Sequence, residues 1–340
     1  MKNVLLPGSL VAGLLMVTGA VALAACAADA PGSSSLPASS AVRPAGGKAK
    51  IGAMYRDANC GQVLVTCLVN GVPARLLMDT GATHTVLDKR FADEVLKVEY
   101  VDTSEMQIQG NAAEIPGLTL GELQAGGAQL RGMAFLVMSL DGVNSMQSVP
   151  IDGILGMDAM RYLPFVMDFA NNRYSWGSFR EMEGFVPLEG ELDEGGRLMA
   201  KVKSGKRELV LLLDTGSSVT TMLPEQWEPG LAASHRTPVA DISGRRMIEV
   251  GVGHEGRLQL GKTLFSAEIT PQLLPPEADP GLLGIDALQS LALVHKPDAS
   301  GRSRFYVGAV KPRQPKPAPE TADAESAAPS AGGQGSGAEP

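Results

Sequence analysis

Between residues 60 and 310 the chain alternates short apolar runs with turn residues, and the pattern occurs twice. VLVTCLV (63–69), Asn70-Gly71 and VPARLLM (72–78) predict strand, tight turn, strand, because Asn-Gly supplies the positive φ that a two-residue hairpin turn demands. RLMAKV (197–202), a Lys-Ser-Gly-Lys turn (203–206) and RELVLLL (207–213) predict the same hairpin again. Each hairpin runs into the same interruption, LLMDTGATHTVL at 76–87 and LLLDTGSSVTTM at 211–222. Further on, LTLGEL (118–123) corresponds to LQLGKT (258–263), and DGILGMDAM (152–160) to DPGLLGIDAL (279–288). FVMDFANNRYSW (165–176) and LALVHKPDASGRSRFYV (291–307) predict a closing hairpin for each half. The acids at 79 and 214 and the glycines at 156 and 284 keep nearly the same spacing, so an internal repeat with drifting loop lengths is the simplest account. With one short helix per half, near 156–161 and 284–290, the predicted class is all-β.

Length changes this picture little: 340 residues leave room for two domains, each with its own core. Residues 51–180 form the first expected lobe, 181–196 a linker and 197–310 the second lobe. Residues 311–340 are Pro, Ala, Glu, Gly and Ser with almost no large apolar side chain, a composition that predicts a disordered tail. The net charge of -8, with Lys and Arg scattered, excludes a nucleic-acid surface, which needs a basic patch to neutralise phosphates. Four scattered histidines, no Cys-x-x-Cys and no His-Glu-x-x-His predict neither a metal site nor a cofactor.

The N-terminus carries an address. Lys2, an apolar stretch and small residues describe a secretory signal over 1–25. Leu23-Ala24-Ala25-Cys26 resembles the lipobox of bacterial lipoproteins, which implies a lipidated Cys26 as the first mature residue and a bilayer as partner. The alternative is an uncleaved membrane helix over 4–25; both readings export the chain to the cell envelope. Ala27 after the lipid-bearing Cys, by similarity to such lipoproteins, favours the outer membrane. Residues 26–50, rich in Ala, Ser, Pro and Gly, read as a flexible tether. In an oxidising compartment Cys60 and Cys67 are permitted a disulfide, but one strand through 61–69 would hold the sulfurs apart; the bridge stays open.

The repeated interruption carries the chemistry. Asp-Thr-Gly-[Ala/Ser] after an apolar strand, followed by an [Ile/Leu]-Leu-Gly turn, resembles the retropepsin-like aspartic proteases over nearly all of 60–180 and 195–308. The resemblance implies two β-barrel lobes related by a pseudo-twofold axis, and one active site built from both motifs. Asp79 and Asp214 are the expected catalytic dyad. Two carboxyls about 3 Å apart share one proton, so one can activate water while the other donates to the scissile carbonyl. Gly81 and Gly216 are expected where the backbone turns beside the acid and a Cβ would crowd. By similarity to the family, Thr80 and Thr215 cross-link the two motifs, Ile154-Leu155-Gly156 and Leu283-Gly284 pack beneath them, and loops at Gly110 and Gly244 are candidate flaps. The acid and Arg that viral members carry near these motifs are absent: Thr83, His84 and Met157 stand there in the first half, and Ser218, Val219 and Ile285 in the second.

One asymmetry yields an expectation. Ser217 follows the second motif where Ala82 follows the first; a hydroxyl donated to Asp214 would make it the more readily ionised partner and leave Asp79 the proton. Three functions follow. The first is a monomeric, envelope-tethered aspartic endopeptidase cutting an extended polypeptide that lies as a strand across the cleft. The second is a catalytically silent lipoprotein of the same fold that binds peptide or protein. The third is a pair of modules that each dimerise with another chain.

Overall fold

A computed structural model describes residues 50–100, 102–108, 111–126, 128–177, 184–222, 234–241, 244–251, 254–260, 263–271, 281–298 and 302–310. The leader, Cys26, nearly all of the tether, Gly110, Trp227 and the tail lie outside the described residues.

The fold is all-β, built around two closed six-stranded rings. The first contains β1 (Val63–Val69), β2 (Val72–Met78), β3 (Val86–Asp88), β4 (Asn111–Ala125), β5 (Ala128–Met138) and β6 (Gly153–Leu155). Their order is β1-β2-β6-β3-β5-β4, and β4 returns to β1 through Leu68 opposite Gln124 and Val69 opposite Leu123. The second contains β7 (Leu198–Ser204), β8 (Arg207–Leu213), β9 (Thr220–Met222), β10 (His254–Leu260), β11 (Thr263–Pro271) and β12 (Leu282–Leu283). It runs β7-β8-β12-β9-β11-β10 and closes through Lys203 opposite Gln259. Closure of the second ring covers only the end of β7, and the edge at Leu198–Ala200 stays open to a further strand.

The first hairpin turns at Asn70 (φ 50°) and Gly71 (φ 80°), the left-handed pair that its sequence calls for. Val63, Val65, Cys67 and Val69 of β1 point into the main core with Leu76 and Met78 of β2. Leu64 and Leu77, on the opposite face, are also buried, in a smaller cluster with Ala82, Val86, Leu136 and Ile154. Both faces are covered, which is why these strands read as continuous apolar runs.

A six-stranded sheet joins the halves. Its order is Lys50–Ala53, Arg173–Trp176, Phe165–Asp168, Leu291–His295, Phe305–Ala309 and Val186–Pro187. Two boundaries therefore differ from expectation. Lys50, assigned to the tether, begins a strand, and the linker 181–196 contains two strands, Val186–Pro187 in this sheet and Gly190–Leu192 beside β7. Both are too short to show a period, and they are ordered by the strands whose edges they complete.

His295 sits at the middle of the joint sheet, with its ring 5.0 Å from those of Phe165 and Phe305. Its Nδ1 bonds the Leu163 carbonyl at 2.9 Å, and its buried Nε2 has no partner among the described residues. Burial pulls its pKa down to about 4. Cys60 and Cys67 are both free and buried, and burial pushes each thiol up to about 12, so neither is a reactive thiolate.

Candidate active site

The two Asp-Thr-Gly motifs meet. Asp79 and Asp214 emerge from β2 and β8, and their N–H groups donate to the Leu155 carbonyl at 3.1 Å and the Leu283 carbonyl at 3.0 Å. Each motif is thus pinned to the Leu-Gly strand that the sequence places beneath it. The neighbouring loop is fixed in the same way twice over: Met157 N–H donates to the Ala82 carbonyl at 2.8 Å, and Ile285 N–H to the Ser217 carbonyl at 3.0 Å. A Cβ on Gly156 would strike the His84 backbone, and one on Gly284 the Val219 backbone.

The threonines link the halves reciprocally. Thr80 donates its hydroxyl to the Leu213 carbonyl at 2.7 Å and accepts the Thr215 N–H at 3.0 Å. Thr215 donates to the Met78 carbonyl at 2.7 Å and accepts the Thr80 N–H at 3.1 Å. All four bonds are buried, so a hydroxyl lost here strands a carbonyl and an N–H together. Thr80→Val is expected to cost about 2 kcal/mol or more, read as a lowered urea midpoint, while Thr80→Ser retains most of the stability.

The acids lie at the centre with almost no exposure, Asp79 at 2% and Asp214 at 0%. Inner oxygens accept motif N–H groups symmetrically: Gly81 and Ala82 donate to Asp79 Oδ1 at 2.8 and 3.1 Å, and Gly216 and Ser217 to Asp214 Oδ1 at 2.8 and 3.0 Å. Gly81 and Gly216 are required by the opposite acid. A Cβ on Gly81 would lie 2.6 Å from Asp214 Cγ, and one on Gly216 would collide with the Asp79 carboxyl. Neither glycine has a left-handed φ, so close approach decides these positions. No N–H or O–H among the described residues reaches the buried Asp214 Oδ2. Two buried carboxyls that repel each other are relieved by one proton held between them.

The hydroxyl bond to Asp214 expected of Ser217 is not made. Burial raises the pKa of both acids; Asp214 goes well above the usual carboxylate range because the Asp79 charge raises it further. For Asp79 the hydrogen bond with Asp214, the Gly81 and Ala82 N–H groups and the Arg197 charge act against burial. With both pKa values raised, the pair holds one proton between its two carboxyls. The Ser217 hydroxyl donates instead to the Val219 carbonyl at 2.8 Å, leaving only its N–H for Asp214, as at Ala82. Ser217→Ala is thus expected to leave the pH dependence of the dyad in place, measured as the carboxyl titration or a pH–rate profile.

Six neighbours carry no signal of their own in the sequence. Asp158 accepts the Thr85 hydroxyl at 2.7 Å, and Asp286 accepts the Thr220 hydroxyl at 2.7 Å. Thr85 and Thr220 in turn accept the N–H of Gly156 and Gly284, so a Thr–Asp pair ties each loop. Only the repetition of Gly-x-Asp-Ala after each Leu marks the two acids. Gln62 and Arg197 stand at the same offset before Asp79 and Asp214 and each crosses to the other half: Gln62 donates to the Gly216 carbonyl, and Arg197 donates to the Gly81 carbonyl at 3.4 Å.

Of the candidate flaps, Gly110 follows a hairpin arm, Asp102–Ile108, that pairs with the start of β4, Ile108 opposite Asn111. Gly244 opens the strand Gly244–Gly251, paired with Ser234–Asp241. That hairpin lies against the short helix Asp141–Asn144 of the first half. Among the described residues no cluster of three or more His, Cys, Asp or Glu could hold a metal.

Residues 65–159 match the family model for aspartyl proteases. The match supports a retropepsin-like aspartyl protease domain over these residues. No curated protein matches the chain. The domain so defined takes in Asp79, the Thr85–Asp158 pair and the Leu155-Gly156 turn; Asp214 comes from outside the matched residues, through the threonine lattice described above.

Proposed function

We propose that the chain is an aspartic endopeptidase in which Asp79 and Asp214 form one dyad within a single chain. The observation that carries this reading is the pair of buried acids, each packed on the other motif's glycine and together relieved by a shared proton. The Asp79 carboxylate takes a proton from a water, whose oxygen forms the new C–O bond. Asp214 gives its proton to the scissile carbonyl oxygen as charge develops there. Collapse of the tetrahedral species returns the carbonyl proton to Asp214. The C–N bond breaks as the proton taken by Asp79 passes to the departing nitrogen, leaving an acid and an amine. No covalent enzyme intermediate is needed.

The same reading makes 197–310 a second lobe of the first one's kind, supported by the repeated strand order and the paired hydrogen bonds. Intrachain threonine bonds favour a monomer over modules that pair between chains. Flap hairpins at Gly110 and Gly244 would close over an extended polypeptide. Cys26 would tether the enzyme to the bacterial envelope by a lipid, the outer membrane favoured, with residues 26–50 as spacer. The test is incubation of the chain, from Lys48 onward, with a diverse peptide mixture between pH 3 and 8. Cleavage products in the mass spectrum are expected, with most activity at acid pH. Intact peptides at every pH would favour a silent binding protein of the same fold.

A further inference from the structure

The dyad is nearly symmetric in its hydrogen bonds, and its surroundings are not. Gln62 and Arg197 occupy equivalent places, each reaching across to the glycine carbonyl of the opposite motif. Gln62 is neutral, and behind it lies the Asp57 carboxylate, which contacts Cys60 Sγ at 3.1 Å, as does Gln62 at 3.2 Å. Arg197 carries a full positive charge and is largely buried, its side chain 12% exposed. It is held by the tight turn Asp193–Arg197, in which Asp193 N–H donates to the Arg197 carbonyl and Gly196 has φ +82°. Asp193 grips the guanidinium at 2.6 Å. Gly195 of the same turn packs so closely on Thr83 that a Cβ would collide with it. The charge is therefore built into a docked turn beside the first motif.

We infer that Arg197 is the positioning residue that assigns the two roles within the dyad, holding Asp79 as the base and leaving Asp214 as the acid. This rests on the dyad reading above. Other charged groups near the motifs either have counterparts or face away from the dyad. Asp158 and Asp286 occupy equivalent places, each on a threonine. His84 bonds the Thr83 hydroxyl and lies with Asp158 and Arg161 behind the first loop. Asp193 offsets Arg197 only in part, since its side chain is 24% exposed and shares its charge with solvent, whereas the guanidinium is 12% exposed. What remains is a cation on the Asp79 side, against a carboxamide backed by an anion on the Asp214 side. The cation beside the first motif favours the proton on Asp214. The Arg197 charge also acts on Asp79 directly, lowering its proton affinity.

The experiment is a titration of the chain with carbon-13-labelled aspartate carboxyls, the signals assigned through Asp79→Asn and Asp214→Asn, alongside the pH dependence of kcat/KM. In the wild type the first carboxyl of the pair to ionise is expected to be Asp79. In Arg197→Gln, which mimics Gln62, that step moves upward by about 1 pH unit, a tenfold gain in proton affinity, and the acid limb of kcat/KM moves with it. Arg197→Lys returns it toward the wild-type position. Asp193→Asn, which leaves the guanidinium uncompensated, moves the step the other way. A first step that belongs to Asp214 in the wild type overturns the assignment. So does a step that stays put in folded Arg197→Gln, or one that fails to fall in Asp193→Asn. The carboxyl signals need no turnover, so a chain that shows these shifts and cuts no peptide separates the failure of the enzymatic reading from the failure of this one.

Discussion

Replacing either acid of the pair, Asp79→Asn or Asp214→Asn, is expected to lower peptide cleavage by about 10²–10⁴-fold, with the fold retained. An amide fills the space of a carboxyl but can neither take a proton from water nor give one to a carbonyl. Equal losses are expected despite the unequal charges, because the reaction needs one ionised and one protonated partner at the same time. Stability should move in the opposite direction at neutral pH. Both carboxyls are enclosed and their pKa values are raised by burial, so the negative charge the pair carries opposes folding there. An asparagine at either position removes that opposition. The check is a urea titration at pH 7 beside the cleavage assay, in which the inactive variants unfold at the same denaturant concentration as wild type or later.

The second large effect concerns acid. His295 stays neutral in the fold, its pKa pulled down to about 4 by burial between Phe165 and Phe305, while in the unfolded chain it takes a proton near 6.5. Between those values the unfolded state binds the extra proton, so stability falls as pH falls through this window. The loss reaches about 3 kcal/mol by pH 4. The two buried acids respond in the other direction, since protonation relieves their charge. The chain thus combines a dyad that gains from acid with a joint sheet that loses to it. His295→Phe keeps a ring between the same neighbours and removes the titration. Urea unfolding at pH 7 and pH 4 should show the wild type losing about 3 kcal/mol more than the variant over that interval. Equal losses would place the acid-sensitive group elsewhere.

Much of the fold was legible because its signals are local. Asn70-Gly71 specifies a turn by backbone conformation alone, and the apolar runs that end in Asp-Thr-Gly carry their own strand period. The repeat then pointed to the second acid, which is why Asp79 and Asp214 could be paired across a long stretch of chain. What escaped depends on apposition. Gln62 and Arg197 are ordinary residues at the mouths of two hairpins until the halves face each other, and only then does each reach the other's glycine carbonyl. The Ser217 hydroxyl had two acceptors in reach of its sequence position, and the local turn placed the Val219 carbonyl nearer than the acid. Gly81 and Gly216 were expected for a reason internal to their own loops; the structure gives the opposing carboxyl as the reason. Val186–Pro187 and Gly190–Leu192 have no pattern of their own and become strands because neighbouring edges are open to them.

The central claim is that one site takes an acid from each half of a single chain. The direct measurement is peptide cleavage by wild type, Asp79→Asn, Asp214→Asn and an equimolar mixture of the two variants, over a range of protein concentrations. Cleavage by wild type is expected with a rate proportional to concentration, and none by either variant or by the mixture. Activity recovered in the mixture, or retained by one variant alone, would contradict that claim, because each chain would then be completing its site without its own second acid.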